Sequence, residues 1–246
     1  CAGSLSTISH AGTTSFGDST TSLSQTVTLG STGSERMLVV GIAIEAGSGE
    51  GVVDSITFDG VPMELATNHE VGGSTIQRIH VYYLGESQLP AGPGDYTLAA
   101  SLSAVNDAVY HVMELDGVAD DAPEAVSVSD DGNGGLASLS DSIGTITDGA
   151  WVVSLIGSGN SIGDFVPNPA DHTERGDLSN GSMRSAISTQ HVPAFGTTSI
   201  GWDASGSNRL AMALVAFAPA GSPNGLCFSE GGDGCNASCS VDPGWI

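Results

Sequence analysis

The sequence predicts an all-β protein: an antiparallel β-sandwich with a jelly-roll-like arrangement, followed by an irregular cysteine-bearing C-terminal extension. Three observations support this class. About twelve or thirteen short stretches of strand-forming residues recur, at roughly 10–15-residue spacing, between turns rich in Gly, Asp and Pro. No stretch keeps a helical apolar period of about 3.6 residues for long enough to form a substantial helix. Only 13% of the residues are charged, and 35 are Gly, which suits a turn-rich extracellular β protein.

The first half of the chain starts with polar strands and then reaches its most apolar segment. Residues 6–28 are rich in Ser and Thr with spaced apolar residues, as in two exposed strands. Arg36–Ala46 is apolar on both faces when extended, so it is predicted as a central strand covered on both sides. Within Val52–Leu65, Asp59-Gly60 separates two alternating runs and predicts a hairpin. Further strands are expected at Thr75–Leu84, Tyr96–Leu102 and Ala108–Leu115.

The second half repeats this rhythm. Trp151–Ile156 and Arg209–Ala218 resemble Arg36–Ala46 in their apolar character, and Phe165–Asn180 is the most irregular part. Other strands are expected at Glu124–Ser129, Leu136–Ile146, Met183–His191 and Thr198–Asp203. We therefore predict one sandwich domain over residues 1–219 and a Cys-rich extension over residues 220–246.

The strands that are apolar on both faces need a second cover. A contiguous exposed apolar patch is unusual on a soluble monomer. Two covers are open at this point: long loops of the same chain, or a neighbouring subunit.

Five runs add a further signal through their pattern and order: RMLVVGIAIEA, VDSITFDGVPMEL, RIHVYYLGESQLPAGPGDYTL, AVYHVMELDGV and NRLAMALVAFAPA. Together they resemble a β-sandwich module that is repeated in secreted and surface proteins of environmental bacteria. The resemblance spans about residues 6–219. It implies an extracellular sandwich with a structural or adhesive role, and it brings no catalytic signature with it.

The charge of the chain is strongly acidic. It has 28 acidic residues, five Arg and no Lys, for a net charge of -23. This balance argues against binding nucleic acid, which requires Lys and Arg to displace counterions. No apolar run is long enough to span a bilayer. Solubility, a saline habitat and screening by cations such as Ca²⁺ remain open as reasons for the charge.

No pattern in the chain predicts a reaction, and we expect a protein that is not an enzyme. There is no G-x-S-x-G motif, and the six His have no metal-ligand spacing. His111 lies on an apolar strand face and is predicted to be a core residue. A turn with clustered oxygen ligands is a candidate calcium site, with a plain turn as the alternative; its residues are Asp130, Asp131, Asn133 and the closing acid Asp141.

Two kinds of covalent modification are also predicted. Asn180 and Asn236 lie in glycosylation sequons. Cys1 is followed by small residues, as in bacterial lipoproteins whose mature N-terminal Cys carries lipid, so a lipid anchor at Cys1 is one expectation. The other is a disulfide with a Cys of the C-terminal extension.

The disulfide framework bears on assembly. The four cysteines are Cys1, Cys227, Cys235 and Cys239, and in an oxidising compartment they allow three pairings. A bond from Cys1 to the extension of the same chain closes the sandwich covalently. A bond to the next chain produces a head-to-tail contact and an open filament.

The resulting hypothesis is an extracellular or cell-surface structural subunit that partners with itself. It would assemble head to tail into a filament or surface layer, stabilised by its terminal segments and disulfides, with residues 1–10 exchanged with a neighbour. The first alternative is a monomeric adhesive or glycan-binding module, lipid-anchored or secreted. A secreted hydrolase is the third.

Overall fold

Strands dominate the computed structural model, which describes residues 5–73, 75–132, 135–159 and 163–221. Within these residues the chain forms 17 strands and one short 3₁₀ helix, Glu86–Gln88. The strands up to residue 116 are β1 (Ser9–Asp18), β2 (Ser22–Leu29), β3 (Met37–Gly47), β4 (Val53–Phe58), β5 (Val61–Pro62), β6 (Glu64–Gly72), β7 (Thr75–Gly85), β8 (Gly94–Leu102) and β9 (Asp107–Asp116). The later strands are β10 (Ala125–Asp130), β11 (Leu136–Thr145), β12 (Ala150–Gly159), β13 (Phe165–Pro167), β14 (Thr173–Asn180), β15 (Met183–Val192), β16 (Gly196–Asn208) and β17 (Leu210–Phe217).

These strands form four antiparallel sheets, so the predicted all-β sandwich class is confirmed. The first half contributes outer sheet 1, with strand order β2-β8-β4-β5, and inner sheet 1, with order β1-β9-β3-β7-β6. The second half contributes inner sheet 2, with order β10-β17-β12-β15-β14, and outer sheet 2, with order β11-β16-β13. Three apolar clusters separate the sheets, which gives a stack of four layers rather than the two of a simple sandwich.

One strand arrangement is used twice along the chain. Position by position, β1, β9, β3, β7 and β6 of inner sheet 1 correspond to β10, β17, β12, β15 and β14 of inner sheet 2. The outer sheets correspond in the same way, with β2, β8 and β4 matching β11, β16 and β13, while β5 has no counterpart. The repeated rhythm of the sequence is therefore a structural duplication.

The two halves pack through their inner sheets. Met37, Val39 and Ala43 of β3 lie in the same buried cluster as Val215 and Phe217 of β17. The strands that are apolar on both faces therefore cover each other within one chain. The cover is a packed β-sheet, and it is neither of the two covers considered from the sequence, long loops or a neighbouring subunit. Each large apolar side chain buried this way contributes about 1.5–3 kcal/mol.

The packing of the inner sheets has approximate two-fold symmetry. Edge strand β1 lies against β14, and the equivalent strand β10 lies against β6, while β3 crosses its own equivalent β12. At this crossing a Cβ added to Gly157 would lie 3.1 Å from the Cβ of Ala43 and 2.8 Å from the Cε of Met183. Glycine at this position therefore permits the two sheets to approach closely.

His111 is a buried core residue, as predicted, and it lies in the interface between the two halves. Its Nδ1 lies 2.7 Å from the hydroxyl of Ser15 and its Nε2 lies 3.2 Å from the hydroxyl of Ser185. Because Ser185 donates its own hydrogen to the carbonyl oxygen of Ile156, it accepts a hydrogen bond from Nε2–H, and Nδ1 accepts one from Ser15. Burial lowers the pKa of His111 to about 4, so the ring is neutral.

Three strands were missed by the sequence prediction, β6, β13 and β14, and of these β6 and β14 are equivalent to each other. β6 and β14 are edge strands of the two inner sheets, and β14 lies inside the stretch predicted to be irregular. Both carry polar side chains on most positions and a bulge, at Leu65/Thr67 and at Glu174/Gly176. An edge strand with a bulge lacks the regular alternation from which strands are recognised.

Substitution of Gly157 by Val tests the close approach at the crossing. We expect Gly157→Val to lower the free energy of unfolding by at least about 1–3 kcal/mol, because the added carbons overlap Met183 and Ala43. The control is Gly144→Val in β11, where an added Cβ would meet no atom within 4 Å. Urea denaturation measures both variants, and equal midpoints would contradict the proposed packing.

The buried imidazole predicts a pH dependence of stability. An unfolded His has a pKa of about 6.5, so between that value and about 4 the unfolded chain binds more protons than the folded one. The free energy of unfolding should therefore fall as the pH decreases, by roughly 2 kcal/mol from His111 at pH 5. His80, whose pKa burial also lowers to about 4, adds to the slope.

Chemical denaturation at several pH values separates these contributions. His111→Gln should reduce the slope between about pH 6.5 and pH 5, the range below the unfolded pKa. The exposed His191→Gln variant is the control. An identical slope in wild type and His111→Gln would show that His111 is not buried as a neutral ring.

Candidate functional site

The first and the last residues that the structure describes lie close together. The backbone N–H of Ser6 donates to the carbonyl oxygen of Ala220 at 2.9 Å, and Ala220 donates to Gly117 at 2.8 Å. Val118 forms an isolated bridge with Pro219 beside them. We call this place the terminal pole. It is held by long-range backbone hydrogen bonds, which makes it a fixed feature of the fold.

The N-terminal residues belong to this pole and to inner sheet 1 of the same chain. Ser9 pairs with Asp116, and His10 pairs with Leu115, at the start of β1. The hydroxyl of Ser6 donates to Oε2 of Glu35 at 2.7 Å. Within one chain, Ser6, Ser9 and His10 therefore already pair with Ala220, Glu35 and β9. Exchange of residues 1–10 between chains stays a prediction.

The four cysteines Cys1, Cys227, Cys235 and Cys239 lie outside the described residues, so their disulfides and the lipid anchor stay predictions. The terminal pole nevertheless limits what they can reach. Cys1 is five residues before Ser6, and Cys227 is seven residues after Ala220. At up to ~3.3–3.6 Å per residue, both can meet each other or reach the same pole of a second copy.

The residues of the predicted calcium turn act as hydrogen-bond acceptors. Asp130 Oδ2 lies 2.6 Å from Nε2 of His69, and its Oδ1 accepts the backbone N–H of Gly132 at 2.6 Å. The hydrogen bonds from His69 and Gly132 hold the pKa of Asp130 below its usual range, although burial opposes them. Asp131 Oδ2 accepts the backbone N–H groups of Gly135 and Leu136. These carboxylate oxygens therefore already accept hydrogen bonds from described residues.

The remaining predicted ligands are placed elsewhere or are not described. Asp141, in β11, accepts hydrogen bonds from the hydroxyl of Ser127 at 2.7 Å and from the backbone of Ser142 at 2.8 Å. Asn133 lies outside the described residues. Among the residues that the structure describes, no three His, Cys, Asp or Glu side chains form a group suited to a metal ion. Calcium binding stays a prediction.

The sequon asparagine Asn180 is part of the contact between the two halves. Its Nδ2 donates to the carbonyl oxygen of Asp18 at 3.0 Å, the hydroxyl of Ser19 at 3.1 Å and the carbonyl oxygen of Ala108 at 3.1 Å. A glycan would be attached to this same nitrogen. Asn236 lies outside the described residues, and both modifications stay predictions.

Each of the five arginines has a partner within the chain. Arg36 forms a two-point contact with Glu86, which raises the pKa of Arg36 and lowers that of Glu86. Arg175 donates to Thr189 and lies over the ring of Trp151. The other ion pairs are Arg78 with Glu70, Arg184 with Asp164 and Asp177, and Arg209 with Glu45. With no Lys in the chain, the surface is acidic with few exposed cationic groups.

Serine–histidine contacts occur in the second half too, again in the interior. His172 Nδ1 lies 2.7 Å from the hydroxyl of Ser188, and Nε2 lies 2.8 Å from the carbonyl oxygen of Gly201. Like His111, His172 is buried, and burial lowers its pKa. Nucleophilic catalysis needs a hydroxyl that a substrate can reach, and Ser185 and Ser188 are both buried.

The described surface includes two hollows lined by acidic residues or beside a Trp. One, of about 340 Å³, is lined by Glu64, Tyr83, Asp120, Asp121 and neighbouring residues. Burial and the hydrogen bond to Glu64 raise the pKa of Tyr83 to about 12. The other, of about 510 Å³, lies on outer sheet 2 beside Trp202. Trp202 is only 1% exposed and donates its indole N–H to the hydroxyl of Ser154.

No helix in the described part of the chain has the length and apolarity to cross a bilayer. No protein-family model matches the chain, and no curated protein matches it. Among solved structures, the atomic structure of Sulfolobus turreted icosahedral virus contains a chain that matches at 7% identity, covering 85% of this chain and 91% of that one, with a TM-score of 0.24. A likeness this weak carries no argument, and the resemblance to the bacterial sandwich module stays a prediction.

The acidic surface predicts that salt stabilises the protein. Raising NaCl from about 10 mM to about 1 M shortens the Debye length from ~30 Å to ~3 Å, which screens the repulsion among the carboxylates. We expect the Tm to rise by several degrees. Calorimetry in NaCl, tetramethylammonium chloride and CaCl₂ at equal ionic strength measures the effect.

Comparison of the three salts distinguishes the reasons for the charge. Equal increases in Tm indicate screening alone, whereas a larger increase in CaCl₂ indicates a calcium site. A Tm that does not change with NaCl would contradict the repulsion.

Proposed function

We propose that this chain is an extracellular structural subunit, without enzymatic activity, that is joined covalently to its neighbour at the terminal pole. The observation that carries the proposal is the hydrogen bond between Ser6 and Ala220. It holds Ser6 and Ala220 side by side, and the segments that carry Cys1 and Cys227 continue from these two residues. The strongly acidic, Lys-free composition supports an extracellular setting.

The position of the pole favours a different geometry of assembly from the head-to-tail filament that the sequence suggests. If both ends leave at one pole, a disulfide between chains joins pole to pole. Two copies linked in this way use the same surface patch, so the contact is isologous and closes after two subunits. Extension into a filament or layer then requires a second contact on another face. The unit of assembly in this proposal is therefore a disulfide-linked pair.

The rival proposal, a monomeric adhesive or glycan-binding module, has less support. Sugar-binding sites present an aromatic face to solvent, and in the hollow on outer sheet 2 Trp202 packs its ring against His172 and Phe165 in the interior. A secreted hydrolase has less support still, because two of the three serine–histidine contacts, His111–Ser185 and His172–Ser188, are buried.

Non-reducing electrophoresis tests the covalent pair. The oxidised protein should migrate at twice its mass of 24.6 kDa and return to the monomer position with reductant. Cys1→Ser and Cys227→Ser variants, with mass spectrometry of the cross-linked peptides, identify the bond. A ladder of higher bands would contradict closure and favour the filament. A monomer in both lanes would contradict the proposal and favour the adhesive module.

A further inference from the structure

The duplication creates two contacts between edge strands of the inner sheets, β1 with β14 and β10 with β6. We call these contacts seams, and they differ from each other. At the β1–β14 seam, the hydroxyl of Ser15 faces Gly176, where an added Cβ would lie 2.7 Å from it. Gly17 faces Asn180 just as closely. Small residues thus let β1 and β14 close against each other.

The equivalent β6–β10 seam differs in composition and in exposure. The residue after the bulge is Thr67 in β6, where β14 has Gly176. Val126 and Val128 of β10 remain 49% and 37% exposed. Alternate residues of a strand point to opposite faces. Ser127 contacts Asp141 of β11 on one face of β10, and Asp130 contacts His69 of β6 on the other. Val126 and Val128 lie on the same face as Asp130 and therefore point into the seam.

An acidic hollow forms the mouth of this seam. The cavity of about 340 Å³ is lined by Glu64, the first residue of β6, and by Ala122, just before β10. Glu64, Asp120 and Asp121 supply three carboxylates, and no lining residue is cationic. The proposed site therefore combines an apolar surface, formed by Val126 and Val128, with a negatively charged hollow at one end of the seam.

The free edge of β10 offers backbone groups along the same apolar surface. β10 pairs with β17 alone. Its register is regular from Ala125 to Asp130, after an irregularity at Glu124, whose N–H donates to the carbonyl oxygen of Ala216, the partner of Ala125. The other inner edges carry bulges within the strand. Asp131 N–H donates to the carbonyl oxygen of Leu210. In the alternating antiparallel pattern, the backbone groups of Val126, Val128 and Asp130 then point away from β17. Regular edges of this kind accept an added strand.

We infer that the β6–β10 seam binds an extended segment of another protein that carries a Lys or Arg. The segment adds as a strand to β10, packs apolar side chains on Val126 and Val128, and places its cation among Glu64, Asp120 and Asp121. A second copy of this chain fits poorly, since it has no Lys and its five arginines have partners within the chain. This inference is independent of the terminal pole.

Fluorescence anisotropy with a designed probe tests the inference. The probe is a fluorescein-labelled peptide of alternating Val and Thr with Lys at each end, and the control peptide has Glu in place of Lys. Binding is measured at about 0.15 M salt, where diffuse attraction is screened beyond ~8 Å. The full chain should bind the Lys peptide and not the Glu peptide. Absence of binding, or equal binding of both peptides, overturns the inference.

Matched variants localise the binding. Val126→Ser with Val128→Ser, and separately Glu64→Gln with Asp121→Asn, should each weaken binding about tenfold or more, from lost apolar burial and lost charge pairing. The controls are the exposed Val166→Ser and the charge-matched pair Asp59→Asn with Asp95→Asn, which should leave affinity unchanged.

Equal weakening in the Asp59/Asp95 control would show non-specific attraction to an acidic protein and overturn the inference. A dimer in sedimentation that the Val126/Val128 variant dissociates would make a second copy the occupant, which also overturns it.

Discussion

The packing of inner sheet 1 on inner sheet 2 is the interaction on which the rest of the structure depends. It buries the second apolar face of β3 and β17, which neither half covers by itself. The outer sheets then need to cover only one face each, and their strands show the simpler alternation of buried and exposed residues, as in β2 and β11. The interface also contains His111, whose neutral ring bridges Ser15 of one half and Ser185 of the other.

Approximate two-fold symmetry explains why one interface produces two unlike surfaces. A symmetric contact repeats each strand pair, so β1 on β14 and β10 on β6 start from the same geometry. The closed seam has Gly17 and Gly176 at its close contacts, whereas the other seam has Thr67 in place of Gly176 and leaves two valines exposed. Duplication therefore supplies a scaffold in which one seam maintains the fold and the other is free to diverge.

Local chemistry made part of this structure predictable. Asp59-Gly60 forms its hairpin turn with φ values of 49° and 81°, and the apolar runs of β3, β12 and β17 are the buried strands they were predicted to be. The four-layer architecture was not predictable, because apolarity on both faces shows that a cover exists and not which residues supply it. The terminal pole was equally hidden, since Ser6 and Ala220 meet only through the folded chain. Neither seam has a sequence motif, because Thr67 and Val126 acquire their roles from strand placement.

The order in which the strands are connected has a consequence for biosynthesis. Every strand of the first half has been made once Asp116 is in place, so this half can fold while the rest of the chain is still being translated. Its inner sheet would then present Met37, Val39, Val109 and Met113 to solvent until the second half arrives. At ~5–20 residues per second, the roughly 100 residues up to Phe217 take about 5–20 s to synthesise. During that interval the nascent chain carries a broad apolar sheet, which is the kind of surface that chaperones bind and that aggregates form from.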